Sequence, residues 1–572
     1  MILRALYDYY ERCKTSLPPF GKEEKEIGFL LVIDKKGRFM RFEDRRIDKK
    51  RAASFLVMKH VGRSSAIVPN CLYDSIDYVL GYSDKSPGKA LEKFKAFGAR
   101  VKDIANTLPD NEDIKAVRSF YDTDHEELLA LVRRDPLWND INKALDKKYS
   151  VFSFLIDGDT RIVAEKDEIL EAIASEEDVG KHICLVTGER CTPVTITTET
   201  TISGSLTIAK LVAMQTKSGY DSYGKEKAMN SPISKRAEFA YTTALNHLLG
   251  RDSRNKFSVG DRTYVFWASS PDDAGKQIEE GFFIMIGLSR KEEDPNKGIE
   301  RVRKVFKGIY SGSIRTDLDD KFYILGLAPN SARIAVVYWS EMSLKDFAAA
   351  ILSHFEDMAI IDGRKEKKPY TGLHSILSAV TIGGKSSDAL PNLADAVAKS
   401  IFQGIPYPYN LFAGCMRRIR AEQSIGITRA AIIKAYLNRI DNQNKIEVML
   451  DKDNTNQGYL CGRLFAVLDK VQADANNQHT IRERYMNAAS ATPAAVFATI
   501  LNLSAKHAEK LAEGRKVHYD KLKQEIMDKI SADGFPAHLS LQDQGRFAVG
   551  YYHQMQAFFQ KKDQDTEHET TE

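Results

Sequence analysis

The spacing of apolar and polar positions changes character partway along the chain. Residues 27–42 (IGFLLVIDKKGRFMRF) hold two β-rich runs around DKKG and predict a hairpin. Residues 149–163 (YSVFSFLIDGDTRIV) repeat the pattern around DGD. The runs 263–268 (TYVFWA) and 333–339 (RIAVVYW) predict further strands, while 237–249 and 344–355 carry a helical period. Strands and helices do not alternate regularly, so the pattern fits an α+β fold rather than a doubly wound parallel sheet.

Residues 362–369 (DGRKEKKP) read as a charged connector, and strand signals stop beyond it. Helices are expected over 393–401, 429–437, 459–475, 494–511, 517–530 and 541–559. Leu460, Leu464, Leu468, Val471 and Ala475 share one helical face. Thr492-Pro493 fits an N-cap followed by proline at the first helical position, and Ser540 with Asp543 resembles a capping box. A chain of 572 residues is too long for one core. The expected organisation is a mixed α+β domain over 1–370, a helical connector over 371–448, and an all-helical bundle over 449–572 with an acidic tail at 563–572.

Composition narrows the class. With 43% hydrophobic and 28% charged residues the chain has the make-up of a soluble globular protein, and its apolar runs are far shorter than the ~20 residues that span a bilayer. The opening MILRALYDYYERCK lacks the apolar core of a secretory signal, and six irregularly spaced cysteines suggest reduced thiols, so a cytoplasmic protein is expected. Net charge is +4, but residues 1–110 carry 22 Lys and Arg against 15 Asp and Glu. Any phosphate binding should therefore come from patches, mostly in the N-terminal part; a solvated surface is the plainer reading.

The sequence offers no clear active site. Residues 379–386 (AVTIGGKS) end like a P-loop, but Ala379 stands where the first glycine belongs. Cys184 and Cys191 with nearby His182 lack the second ligand pair of a structural zinc site. Asp157 and Asp159 suit a turn. Asp317, Asp319 and Asp320 could hold Mg²⁺ in a nuclease, but no companion motif supports them. His553 lies in an aromatic stretch and reads as a core or interface group. No metal or cofactor is expected, and no catalytic residue.

Six stretches taken together are specific: the opening MILRALYDYY, 69–81 (PNCLYDSIDYVLG), 223–249 (YGKEKAMNSPISKRAEFAYTTALNHLL), 326–333 (GLAPNSAR), 480–497 (TIRERYMNAASATPAAVF) and 535–559 (FPAHLSLQDQGRFAVGYYHQMQAFF). In this order they resemble the large subunit of the type I-C CRISPR Cascade surveillance complex, a Csd-family CRISPR-associated protein. The likeness runs from residue 1 to about residue 560. One departure is the stretch 206–222, which lacks the family's "SFN"-like segment. The resemblance implies a non-catalytic subunit at the foot of an RNA-guided complex. Such a subunit inspects duplex DNA for a protospacer-adjacent motif (PAM), helps open it, holds the R-loop and presents a surface to a separate helicase-nuclease. Implied partners are the crRNA-bound Cascade backbone and handle-binding subunits, small-subunit copies, target double-stranded DNA and the helicase-nuclease, with no membrane. The alternative is a nuclease of the same defence system.

On this reading Arg63, Asn70, Lys85 and Lys89 are expected to read the PAM duplex, with Asn70 foremost because an amide can donate and accept at a base edge; a turn cap is the plainer role. Lys225, Lys227, Lys235 and Arg236 are expected to touch phosphate or guide RNA, or else a neighbouring subunit. Arg463, Arg482, Arg484, Lys506, Lys510 and Arg546 are candidates for tracking single-stranded DNA. The bundle holds 13 Lys and Arg against 12 Asp and Glu over 449–560, so any groove must arise by clustering. The resemblance also implies that the small subunit is made from an internal start. Met449 precedes a full set of helices and is the expected first residue; Met416 would keep a half-covered helix, and Met486 would discard Leu464, Phe465 and Leu468.

Overall fold

Five consecutive apolar residues, Phe29–Ile33, form a strand buried at every position. A strand can be apolar on both sides where both faces of its sheet are covered. The sheet runs in the order Phe39–Asp44, Phe29–Ile33, Phe152–Ile156, Tyr73–Asp74. Helices Pro87–Thr107, Glu112–Phe120 and His125–Val132 contribute Phe94, Phe97, Val117, Phe120 and Leu128 to its core. The computed structural model describes residues 2–63, 66–147, 149–173, 180–214, 221–270, 272–285, 295–314, 320–363 and 371–559. Within these the chain forms two compact units: Met1–Thr201 with Thr207–His247, and Ile202–Leu206 with Leu248–Glu572.

In the first unit the hairpin around DKKG forms as expected, with Phe29–Ile33 antiparallel to Phe39–Asp44. Gly37 closes its turn at φ 81°, and an added Cβ would lie 2.4 Å from the Ala116 carbonyl oxygen. The second expected hairpin does not form. Phe152–Ile156 pairs in parallel with Phe29–Ile33 and antiparallel with Tyr73–Asp74. A strand has two edges, and both are taken, so the chain after Asp157-Gly158-Asp159 cannot fold back alongside. It enters the short 3-10 turn Val163–Glu165 instead. A separate ribbon pairs Lys22–Ile27 with Ala53–Met58.

The second unit opens with an antiparallel sheet in the order Arg333–Ser343, Lys321–Asn330, Arg262–Ala268, Lys256–Val259. Its aromatic face packs on helix Leu344–Met358, with Phe322 and Phe347 rings stacked at 4.2 Å. The same core continues through helices Pro391–Gln403, Tyr409–Glu422 and Ile427–Ile440 to Tyr459 and Val549. The expected boundaries at 370/371 and 448/449 therefore do not coincide with the division into units. The second sheet belongs with the helices because its apolar face is the one they cover. Most of the connector 362–369 lies outside the described residues.

The expected C-terminal helices are present as Gln457–Asn476, Pro493–Ala508, Glu513–Met527 and Leu541–Ala557. Tyr409–Glu422 and Thr480–Ala491 are helices that the pattern did not single out. Ser540 caps its helix by accepting from the Asp543 N–H at 3.1 Å. Thr492 holds the N-cap position, yet its hydroxyl turns back to the Ala488 carbonyl at 3.2 Å. Helix Gln457–Asn476 is the hub. It is buried on more than the one expected face, because glycines let helix Leu541–Ala557 lie against it. A Cβ on Gly462 would fall 2.0 Å from the Phe547 carbonyl oxygen, and one on Gly550 2.3 Å from that of Tyr459.

Candidate nucleic-acid interface

The ribbon strand Ala53–Met58 delivers the chain into a loop whose ends are stapled together by side chains. Asn70 is 8% exposed; its Oδ1 accepts from the Val61 N–H at 3.0 Å, and its own N–H donates to Asp74 Oδ2 at 2.9 Å. Arg63 pairs with Asp74, donates through Nε to the Val68 carbonyl at 2.7 Å, and stacks on the Tyr78 ring at 4.2 Å. Both residues thus shape the loop, the Asn70 side chain by tying together positions nine residues apart. Leu72, buried beside them, is held at φ 63°, an uncommon conformation for a branched side chain.

Beside the loop lies a cavity of about 340 Å³ lined by Lys25, His60, Arg63, Asn70, Tyr73 and Glu199. His60 Nε2 is 3.5 Å from Glu199, and Nδ1 is 2.7 Å from Glu23. These two carboxylates push the imidazole pKa up to about 9. Hydrogen bonding to His60 holds Glu199 down to about 2. Tyr73 donates to Glu23 at 2.9 Å. The cavity wall is therefore a set of paired charges fixed on the ribbon and on residues 198–200. Sequence reading missed His60, Glu23 and Glu199, which are far apart in the chain and carry no motif. Lys85 and Lys89 are exposed, Lys89 in the first turn of helix Pro87–Thr107. A cation there opposes the helix dipole, so the position costs a little local stability and leaves the ammonium open to an anion.

The second group divides. Lys225, Lys227 and Lys235 are exposed, and Arg236 pairs with Glu11 at 3.2 Å. Lys225 closes a tight turn with Ser222, Lys227 begins the 3-10 turn Lys227–Asn230, and Lys235 and Arg236 stand at the start of helix Lys235–Leu248.

In the bundle the structure corrects two assignments. Arg463 has no exposed surface; it pairs with Glu525 at 2.9 Å and Gln554 at 3.2 Å. Arg546 is 7% exposed and pairs with Asp441 at 2.8 Å and Asp543 at 3.6 Å. Both guanidiniums hold helices together, and a buried charge cannot meet a DNA backbone. Arg482 is half-buried beside Tyr551, while Arg484, Lys506 and Lys510 are exposed, Lys510 donating to Asn476 at 3.0 Å.

The remaining motifs resolve simply. Residues 379–386 follow helix Leu373–Ser378 rather than a strand, and Gly383 and Gly384 sit at positive φ in an open turn. Cys184 and Cys191 are buried thiols in the hairpin His182–Ile183/Arg190–Cys191, and no metal-holding group of three His, Cys, Asp or Glu occurs among the described residues. Asp317 and Asp319 lie outside the described residues; Asp320 is 8% exposed. His553 is wholly buried, with Nδ1 3.0 Å from the Tyr459 hydroxyl, and burial lowers its pKa to about 3. Met449 is 58% exposed between helices Ile427–Ile440 and Gln457–Asn476. Among the described residues no helix is long and apolar enough to cross a membrane.

The family model for CRISPR-associated protein (Cas_Csd1) matches residues 6–559, and the chain belongs to this Csd1 family of Cascade-type proteins. No curated protein matches it.

Proposed function

We propose that the chain is the non-catalytic large subunit of a type I-C RNA-guided interference complex. In this role it recognises the PAM in double-stranded DNA, helps unwind it, stabilises the R-loop and recruits the helicase-nuclease. Family membership across residues 6–559 carries the reading. The stapled loop and its cavity support it locally: a loop locked by Asn70, Arg63 and Asp74 can present its backbone in a groove without paying ordering entropy on binding, and Lys85 and Lys89 are open to phosphate. Guide pairing then reads sequence while the protein reads the PAM and the backbone.

The test uses the complex assembled with its guide RNA. Asn70→Ala should relax the preference for PAM over mutated-PAM duplex through loss of the loop's shape. Lys85→Ala or Lys89→Ala should weaken binding to both alike and lower the salt slope by about one unit per phosphate contact. Unchanged discrimination and slope in all three variants would remove the assignment. Incubation with DNA and Mg²⁺ or Mn²⁺ should give no cleavage; cleavage abolished by Asp319→Ala would favour the nuclease reading.

We also propose that translation from Met449 yields the small subunit. The core formed by Leu460, Phe465, Met486, Phe497, Ile526 and Phe547 lies within 449–572, so the product keeps a complete interior. Expression of the intact gene with a C-terminal tag should give a second band of 124 residues, about 14 kDa. Replacing the Met449 codon should remove it.

A further inference from the structure

Tyr223 is 97% exposed, more than any other large hydrophobic side chain among the described residues. It occupies the tip of a tight turn in which Ser222 and Lys225 exchange both backbone hydrogen bonds, at 3.2 and 2.9 Å. Tyr223 has φ 53° and Gly224 φ 68°. A two-residue turn with both central residues left-handed is usually built from Asn-Gly or Asp-Gly, because those side chains tolerate positive φ. A bulky aromatic there is strained. Lys227 is also left-handed, at φ 49°, its N–H held by Asp221 Oδ1 at 3.1 Å. Two of the six non-glycine positive-φ residues among the described residues thus fall within the five residues from Tyr223 to Lys227. The turn itself would be better served by asparagine, and a ring that is almost wholly exposed adds nothing to a core. The tyrosine therefore needs another reason.

We propose that Tyr223 is a stacking finger for an unpaired nucleobase, with the exposed Lys225 and Lys227 ammoniums meeting the flanking phosphates. The two-residue tip is narrow, so a base can lie on the ring without striking the backbone. Every base has a π-face, so such a contact is sequence-tolerant and suits a strand that must be held rather than read. The ammoniums add a salt-dependent contribution. A protein pocket would want the ring without a lysine two and four residues on; nucleic acid wants both. The ligand is an unpaired nucleotide, supplied by guide RNA or by an opened DNA strand. This inference rests on the reading of the chain as a nucleic-acid-binding subunit.

The test uses the full chain assembled with its guide RNA, carrying 5-iodouracil either in the guide or in one DNA strand. Irradiation and peptide mass spectrometry should place a cross-link at Tyr223 with one of the labelled strands, which identifies the source. Tyr223→Asn, which suits the turn, should abolish that cross-link and weaken binding of the same strand about tenfold. Tyr223→Phe and Tyr223→Trp should keep the affinity. Wild-type affinity in Tyr223→Asn, with no cross-link at position 223, would overturn the proposal. So would a variant that loses a protein subunit while its nucleic-acid affinity is unchanged, since the finger would then be a protein contact. A wild-type complex that binds no DNA would overturn the broader functional reading instead.

Discussion

Arg463 shows what a single side chain decides. Its guanidinium is sealed inside the bundle, bonded to Glu525 and Gln554, with Nη1 lacking a hydrogen-bond partner among the described residues. Arg463→Ala removes a buried pair and leaves a cavity, and should cost on the order of 3 kcal/mol in urea unfolding. Once folded, the variant should hold single-stranded DNA as wild type does, whereas Lys506→Ala should lower the salt slope. Equal effects of the two on the slope would return Arg463 to the binding surface. His60 gives a pH signature at the same scale. Its folded pKa, about 9, lies above the ordinary value of 6.5. The stability it supplies is therefore fully present below about pH 6.5 and is lost as pH rises through about 9. His60→Gln should destabilise the chain at pH 6 and matter little at pH 10, read as the difference in melting temperature from wild type.

At the element scale the join between helices Gln457–Asn476 and Leu541–Ala557 is set by backbone approaching backbone. Gly462 has no room for a methyl group against Phe547. Gly462→Ala should force the helices apart and cost about 3 kcal/mol, at the upper end of overpacking penalties. Gly514 lies in helix Glu513–Met527, and a methyl group added there would meet nothing within 4 Å. Gly514→Ala should instead stabilise by roughly 0.5 kcal/mol through backbone entropy. Thermal melts of the two variants should move in opposite directions.

At the largest scale the informative fact is that in the second unit one interior extends from its sheet to Val549, while another is built by the last five helices among the described residues. The hub helix takes part in both: Tyr459 faces the upstream core, and Leu464 and Leu468 face the C-terminal one. A purified 449–572 fragment should be helical and unfold cooperatively by circular dichroism, because the second interior stays intact. A 487–572 fragment lacks Leu460, Leu464, Phe465 and Leu468, and should show neither property. Cooperative unfolding of the shorter fragment would mean that the hub is dispensable.

Local period and capping were enough to predict the DKKG hairpin, the strands at 263–268 and 333–339, and most C-terminal helices, because those depend on residues close in sequence. Ser540 and Asp543 formed their cap for the same reason. The family was legible from ordered stretches of residues, which needs no coordinates. Tertiary structure alone decided the rest. Phe152–Ile156 is not half of a hairpin because its two edges are claimed by strands about 80 and 120 residues earlier in the chain. Arg463 and Lys506 have the same charge in the sequence, and burial separates them. His60, Glu23 and Glu199 meet across 176 positions, and no spacing rule brings them together. Charge and period are properties of a residue and its neighbours, but pairing, burial and a shared cavity are properties of the packed chain.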